Sequence, residues 1–321
     1  MRAWRALVPE RIKRRLRHLL IEGSGPSGAA AEISWLLQES YWKKELHALD
    51  QACRVTVEDA ALRPLIEALP LELFLLLTFT RQSVWPNIAL RFPTLPPAQL
   101  QERFTSRSDR AHLQTVNWFV AAIVGRYEAQ CGPIKNATVL DVGCGWGRFM
   151  RAFWRYVPEG QLHGMDVDSE ILRSCDEHRV PGQRFLSPAL SAPEMRRRFS
   201  LIYAYSVFTH LDQKTQLDLL AQLRQAVTDD GLMVLTVRPE SYWDRLMVDR
   251  PRQADLWRRL KEDHRHHGYA FAPHGGRPTF GETSIDRRYI EKFWTGWQLE
   301  GFGYVPDEPY QMVVWLRPAS R

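Results

Sequence analysis

The residues best suited to chemistry lie in Thr138-Val-Leu-Asp-Val-Gly-Cys-Gly-Trp-Gly-Arg148. A β run ends in Asp141, Gly143, Gly145 and Gly147 alternate after it, and a helix is expected to follow. Glycines let a backbone turn sharply and approach a ligand closely, and a helix N-terminus presents unpaired N–H groups. The dinucleotide fingerprint G-x-G-x-x-G needs a small residue where Arg148 stands, so it fails here. About 20 residues further on, Leu162-His-Gly-Met-Asp166-Val167-Asp168 ends a second β run in an acid. A carboxylate there accepts both hydroxyls of a nucleoside ribose, and Val167 beside it is placed to pack on an adenine face. Asp168 is the better N-cap for the next helix, which leaves Asp166 for the ligand.

Rigid elements must hold these side chains. From Ala137 onward short β runs alternate with helical segments, the mark of a parallel sheet with crossovers. Strands are expected at Thr138–Val142, Gln161–Asp166, Gln183–Leu186, Ser200–Tyr205, Leu232–Val237, Trp297–Tyr304 and Gln311–Leu316. The short link between the last two predicts a terminal hairpin. Helices are expected at Arg148–Tyr156, Ser169–His178 and Gln213–Val227, with more in Pro239–His267 and Ser284–Thr295. Upstream, Ala29–Asp50, Val57–Leu69, Glu72–Thr80 and Asp109–Gln130 read as helix, and Pro86, Pro93, Pro96 and Pro97 mark a loop-rich stretch. The apolar run Leu69–Phe79 is about half the length of a bilayer span and predicts a buried helix.

The segment D-V-G-C-G-W-G-R at 141–148 resembles the first motif of class I S-adenosylmethionine-dependent methyltransferases, and G-M-D-V-D at 164–168 resembles their second. Phe199-Ser-Leu-Ile-Tyr-Ala-Tyr-Ser-Val-Phe-Thr-His-Leu211 is similar to their fourth-strand motif, and Thr228-Asp-Asp-Gly-Leu-Met-Val-Leu-Thr236 to their entry into strand five. The resemblance covers 135–317 and points to the bacterial small-molecule or glycan branch. It implies an α/β fold: a Rossmann-like seven-stranded sheet of order 3-2-1-4-5-7-6, its last strand antiparallel, with an N-terminal helical accessory region. It also implies S-adenosyl-L-methionine as cofactor. Asp141, Gly143 and Gly145 would hold the methionine end, Asp166 the ribose, and Tyr205 would add backbone contacts. Ser200 replaces the usual acid before the fourth strand, and no acid stands near Ser187-Pro-Ala-Leu190, where many relatives place one against the adenine amine.

Methyl transfer needs an aligned nucleophile and exclusion of water more than covalent chemistry. In the resembled family the residues after the fourth strand face the methyl group. Tyr205-Ser-Val-Phe208 is not the Asn/Asp-Pro-Pro-aromatic sequence of nucleic-acid base methylation, and the first acid beyond it is Asp212. What remains is a small-molecule or glycan hydroxyl, or another oxygen or nitrogen nucleophile; oxygen is the expected atom, with neither nucleic acid nor metal. His210 is the nearest candidate general base; the alternative is a structural histidine beside the helix from Asp212. His264-Arg-His-His-Gly-Tyr269 and Pro273-His-Gly-Gly276 read as a solvated basic loop or an acceptor-site lid. Arg148 either reaches the cofactor carboxylate or pairs with an acid of the accessory region.

Composition sets outer bounds. The chain has 321 residues, 45% hydrophobic and 25% charged, enough for one large α/β domain plus an accessory region. The net charge is +6, but Arg2, Arg5, Arg11, Lys13, Arg14, Arg15 and Arg17 against Glu10 and Glu22 place +5 of it in residues 1–22. The rest is close to neutral, unlike a nucleic-acid-binding domain. The division expected is a basic helix and linker (1–28), a helical accessory or cap region (29–130) and the methyltransferase domain (131–321). The basic helix, with Trp4, Leu7, Leu16 and Leu20 on one side, is a candidate for weak peripheral contact with a membrane or a protein. Cys53, Cys131, Cys144 and Cys175 are too scattered for a disulfide scaffold and fit a cytoplasmic setting. Two other readings stay open: a binding module of the same fold without turnover, and a nicotinamide oxidoreductase, which Arg148 and the terminal hairpin disfavour.

Overall fold

The computed structural model describes residues 41–56, 58–80, 84–105, 108–187, 195–306 and 308–319, with Glu10, Ile12 and Arg14. The basic segment, the linker and most of the expected Ala29–Asp50 helix lie outside the described residues. In chain order the helices are α1 (Lys43–Val55), α2 (Asp59–Ala68), α3 (Leu71–Phe79), α4 (Pro86–Arg91), α5 (Ala98–Thr105) and α6 (Leu113–Gln130). Then follow β1 (Val139–Val142), α7 (Met150–Phe153), β2 (Leu162–Asp166), α8 (Ser169–Glu177), β3 (Gln183–Leu186), β4 (Phe199–Ala204), α9 (Gln213–Ala226) and β5 (Val227–Val237). The last part comprises α10 (Tyr242–Asp249), α11 (Ala254–His267), β6 (Tyr269–His274), β7 (Arg277–Ile285), α12 (Arg287–Phe293), β8 (Trp297–Val305) and β9 (Glu308–Pro318). Seven strands form one sheet in the order β3-β2-β1-β4-β5-β9-β8, and β6 and β7 form a separate hairpin. This is the Rossmann-like order expected from the motifs, with β9 antiparallel to both β5 and β8.

Two compact units divide the chain. The first comprises 1–124 and 144–184. Its helix α3, Leu-Glu-Leu-Phe-Leu-Leu-Leu-Thr-Phe, is apolar on nearly every face and correspondingly buried, as the apolar run predicted. Phe74, Phe92 and Trp154 pack ring to ring, with centroids 4.9–5.8 Å apart. Two expectations are corrected here. The proline-rich stretch holds α4 and α5, because Pro86 opens α4 at its first turn, where a missing N–H costs nothing. The helix expected over Arg148–Tyr156 shrinks to α7, since the glycine turn continues through Phe149.

The second unit comprises 125–143 and 185–321. β1, β4 and β5 run parallel, with Asp141 level with Tyr203 and Tyr203 level with Val234. Leu232–Val237 is buried throughout, as a strand covered on both faces requires. Ser200, which stands where the family carries an acid, accepts from Tyr127 Oη (2.8 Å) and the Thr138 amide (3.2 Å), tying α6 to the start of β1. The segment expected to be a solvated basic loop or an acceptor-site lid forms the end of α11 and a hairpin, which corrects the loop reading. Gly268 closes α11 at φ +72, and β6 alternates half-buried with buried residues against Tyr242, Trp243, Leu246, Trp257 and Leu260. A period of two on an apolar cluster makes a strand of it.

Candidate functional site

In the first unit the glycine turn and the end of β2 are knitted through Asp166. Its Oδ2 accepts the Gly145 amide at 2.9 Å and its Oδ1 the Asp168 amide at 3.1 Å. Burial raises the Asp166 pKa, and these amides work against that rise. Asp168 caps α8, accepting from the amides of Glu170 and Ile171, so the N-cap falls to Asp168 as the spacing suggested. Gly145 takes φ +52, and a Cβ there would meet no described atom within 4 Å. The backbone requires glycine, and the space in front of it is open. Cys175 Sγ donates to the Gly145 carbonyl at 3.2 Å and fixes the peptide from behind. Val167, next to Asp166, is an apolar side chain left 81% exposed.

Behind this turn stands a residue that sequence reasoning passed over. Arg151 is completely buried, and it donates to the carbonyls of Gly147, Trp146, Thr78 and Thr94 at 3.2–3.3 Å. Its guanidinium lies over the rings of Trp146 and Phe79, 4.8 and 5.4 Å from their centroids. Burial lowers its pKa to about 9, still above neutrality, so it stays charged. One cation thus joins the accessory helices to the glycine turn. Arg148, by contrast, lies over the Phe149 ring at 4.6 Å.

In the second unit the relevant groups gather at the carboxyl ends of β1, β4 and β5, where open α/β sheets bind ligands. Asp141 is buried at the end of β1. Gly143 takes φ +69, and a Cβ on it would lie 2.4 Å from Val207 Cγ2, so the turns after β1 and β4 leave no room for a side chain. Tyr205 is buried and donates its hydroxyl to Glu308. Ser206 has φ +62, rare for a residue with a Cβ. Its amide donates to Thr236 Oγ1 (2.8 Å), and its Oγ lies 3.2 Å from both Thr209 Oγ1 and Gln311 Nε2.

His210 lies just beyond, enclosed by the hairpin. β7 pairs with the stretch after β4: the Gly281 amide donates to the His210 carbonyl (2.8 Å) and the Thr283 amide to that of Thr209 (2.9 Å). His210 Nδ1 lies 2.7 Å from the Gly281 carbonyl and must donate to it, and Nε2 accepts from Arg238 at 3.2 Å. Burial first, then the Arg238 charge, lower its pKa to about 4, so the ring is neutral at pH 7. Arg238 itself pairs with the buried Glu282, which also accepts from Tyr242 Oη (2.8 Å) and His274 Nε2 (3.1 Å). Burial works against the Glu282 charge, but Arg238 and these donors hold its pKa below the ordinary value. For His210 to act as a base, an acceptor hydroxyl would have to take the place of Arg238 on Nε2.

The sheet order, with the glycine turn and the acid that ends β2, is that of a Rossmann-like methyltransferase fold. Residues 139–231 match a family model described as a methyltransferase domain. Among similar curated proteins, the tRNA U34 carboxymethyltransferase of Shewanella piezotolerans is 30% identical over 117 residues, 34% of this chain and 34% of its own. That of Histophilus somni strain 2336 is 32% identical over 132 residues, 39% and 40% of the two chains. An uncharacterized methyltransferase of Schizosaccharomyces pombe is 24% identical over 179 residues, 49% and 58%. The chain therefore spans about a third of the length of the first of these relatives. Among solved structures, the magnesium protoporphyrin IX methyltransferase of Synechocystis with bound S-adenosylhomocysteine covers 65% of this chain and 85% of its own, at 14% identity and a TM-score of 0.46.

Proposed function

We propose that the protein transfers a methyl group from S-adenosyl-L-methionine to a hydroxyl oxygen of a small-molecule or glycan acceptor. The observation that carries this reading is the Gly145–Asp166 hydrogen bond. It sets a ribose-type carboxylate beside a glycine whose front is open, with exposed Val167 next to them. In the first unit Gly145, Asp166 and Val167 are the proposed cofactor contacts; in the second they are Asp141, Gly143 and Tyr205. When bound, the cofactor supplies a methyl group on a sulfonium: the acceptor oxygen's lone pair takes the methyl carbon, the C–S electron pair stays on sulfur, and the acceptor proton is released.

The chain's own task is then to hold the nucleophile in line and to keep water out. His210 is kept as the proposed base on the condition stated above. The names of the carboxymethyltransferases point to an RNA acceptor, but the match covers about a third of each chain. Outside residues 1–22 this sequence is close to neutral. A small acceptor is the reading these facts favour. The test is calorimetry with S-adenosylhomocysteine, followed by transfer of labelled methyl into lysate fractions with and without ribonuclease treatment. Binding, with transfer into ribonuclease-resistant small molecules, is expected. Binding without any transfer would favour the alternative of an inactive binding module, and loss of the label with ribonuclease would point to RNA.

A further inference from the structure

Two anomalies coincide at the carboxyl edge of the second unit. Ser206 holds a left-handed backbone conformation two residues past β4, at a position no glycine occupies. Such strain persists only where the surrounding structure enforces it, and it concentrates where function needs it. Here the enforcement is visible: the Ser206 amide is pinned to Thr236 Oγ1, and its hydroxyl is held between Thr209 and Gln311. The second anomaly is Gln311 itself. Its Nε2 reaches Ser206 Oγ at 3.2 Å, while its buried Oε1 meets no hydrogen-bond partner among the described residues. Buried polar atoms are almost always paired, and one that is not calls for a ligand or another physical reason.

The topology says where this atom sits. Met312 is level with Val237, the last residue of β5, so Gln311 stands one step beyond the carboxyl end of that strand. It is at the same edge as the residues after β4, where ligands of open α/β sheets bind. The groups around it, Ser206, Thr209 and Thr236, are all uncharged hydroxyls. The described charges nearest this network, Arg238 and Glu308, are already engaged, Arg238 with Glu282 and the Thr209 carbonyl and Glu308 with Tyr205.

We propose that the Gln311 amide, oriented by the strained Ser206, is the group that binds the nucleophilic hydroxyl of the methyl acceptor. This inference rests on the reading under "Proposed function" and narrows it to an uncharged alcohol. A hydroxyl both donates and accepts, so it completes the unpaired end of the amide whichever way the amide is turned. An amide is no base. Gln311 positions the oxygen with its proton still attached, and the proton leaves to another group.

The test compares wild type, Gln311→Leu and Ser206→Gly. Leucine removes an unpaired buried oxygen, and glycine relieves the left-handed strain, so both variants should melt at or above the wild-type temperature. Both should bind S-adenosylhomocysteine within about twofold of wild type. Transfer of labelled methyl into the ribonuclease-treated small-molecule fraction of a lysate should fall at least about tenfold, because a site built to bind a hydroxyl loses its selection with that contact. The labelled product should withstand alkali, as an ether does. Melting temperatures that fall together with transfer would make Gln311 structural and overturn the inference. So would unchanged transfer in both variants, or label released by alkali as methanol, which marks a carboxylate acceptor. Failure of wild type to bind S-adenosylhomocysteine would instead defeat the methyltransferase reading itself.

Discussion

Single side chains divide the work by what their atoms have left to offer. Asp166 accepts the Gly145 amide on Oδ2 and the Asp168 amide on Oδ1, and its carboxylate is the proposed acceptor for a ribose hydroxyl. Asp166→Ala should cost about 1.5–3 kcal/mol per lost hydrogen bond to the charged group, read as a roughly 10- to 100-fold weaker Kd for S-adenosylhomocysteine by calorimetry. Gly145→Val should abolish binding, since it strains a φ of +52 and fills the open space in front of it. Unchanged affinity in both would remove the cofactor assignment. His210 makes a prediction with a sign. Its pKa falls from 6.5 to about 4 on folding, so its contribution to stability is fully present above pH 6.5 and is lost as pH drops from there toward 4. Urea titrations across that window should show His210→Phe losing less stability than wild type. If His210 is the base, His210→Ala should also lower turnover roughly 10²–10⁴-fold without weakening cofactor binding. The acid limb of kcat/KM should then fall near pH 4 rather than 6.5.

Elements are positioned here by buried cations as much as by apolar surface. Arg151 collects carbonyls from the end of α3, the loop after α4 and the glycine turn. Methionine at 151 would fill similar space and leave those carbonyls without a donor, so Arg151→Met should cost about 3 kcal/mol or more in urea unfolding. It should also weaken S-adenosylhomocysteine, because Trp146 and Gly147 belong to the turn that the cofactor is proposed to contact. Lysine should rescue only in part, having no planar fork for several carbonyls at once. A variant with unchanged stability would show that packing alone holds the turn. The hairpin is fixed in the same manner: Glu282 gathers Arg238, Tyr242 and His274, and β7 lies along residues 209–212 as a bonded wall.

On the scale of the whole chain, charge is distributed unevenly. Residues 1–22 carry nearly all the excess, and the rest balances. No described helix is long and apolar enough to cross a membrane. A short basic segment with few apolar anchors binds a surface only marginally. The full chain and a form starting at Ser24 should therefore both stay in the supernatant with anionic vesicles at physiological salt. Pelleting of the full chain alone would assign the segment to a membrane surface.

The sequence by itself determined the strands and the acids and glycines at their ends, because strand periodicity and glycine spacing are local signals, and the sheet order followed from the family that those motifs resemble. Gln183–Leu186 was legible to the residue, and Asp168 was separable from Asp166 by capping alone. Helix α7 was overdrawn, since the pattern of 148–156 does not reveal that Arg151 is pulled inward by distant carbonyls. The β6–β7 hairpin was read as loop because its histidines and glycines hide a strand that exists only against Trp243 and Trp257. Ser206, Gln311 and Glu282 carry no local signature at all. A strained φ, an unpaired amide oxygen and a buried carboxylate each arise where segments far apart in the chain meet, and only the tertiary structure brings those segments together.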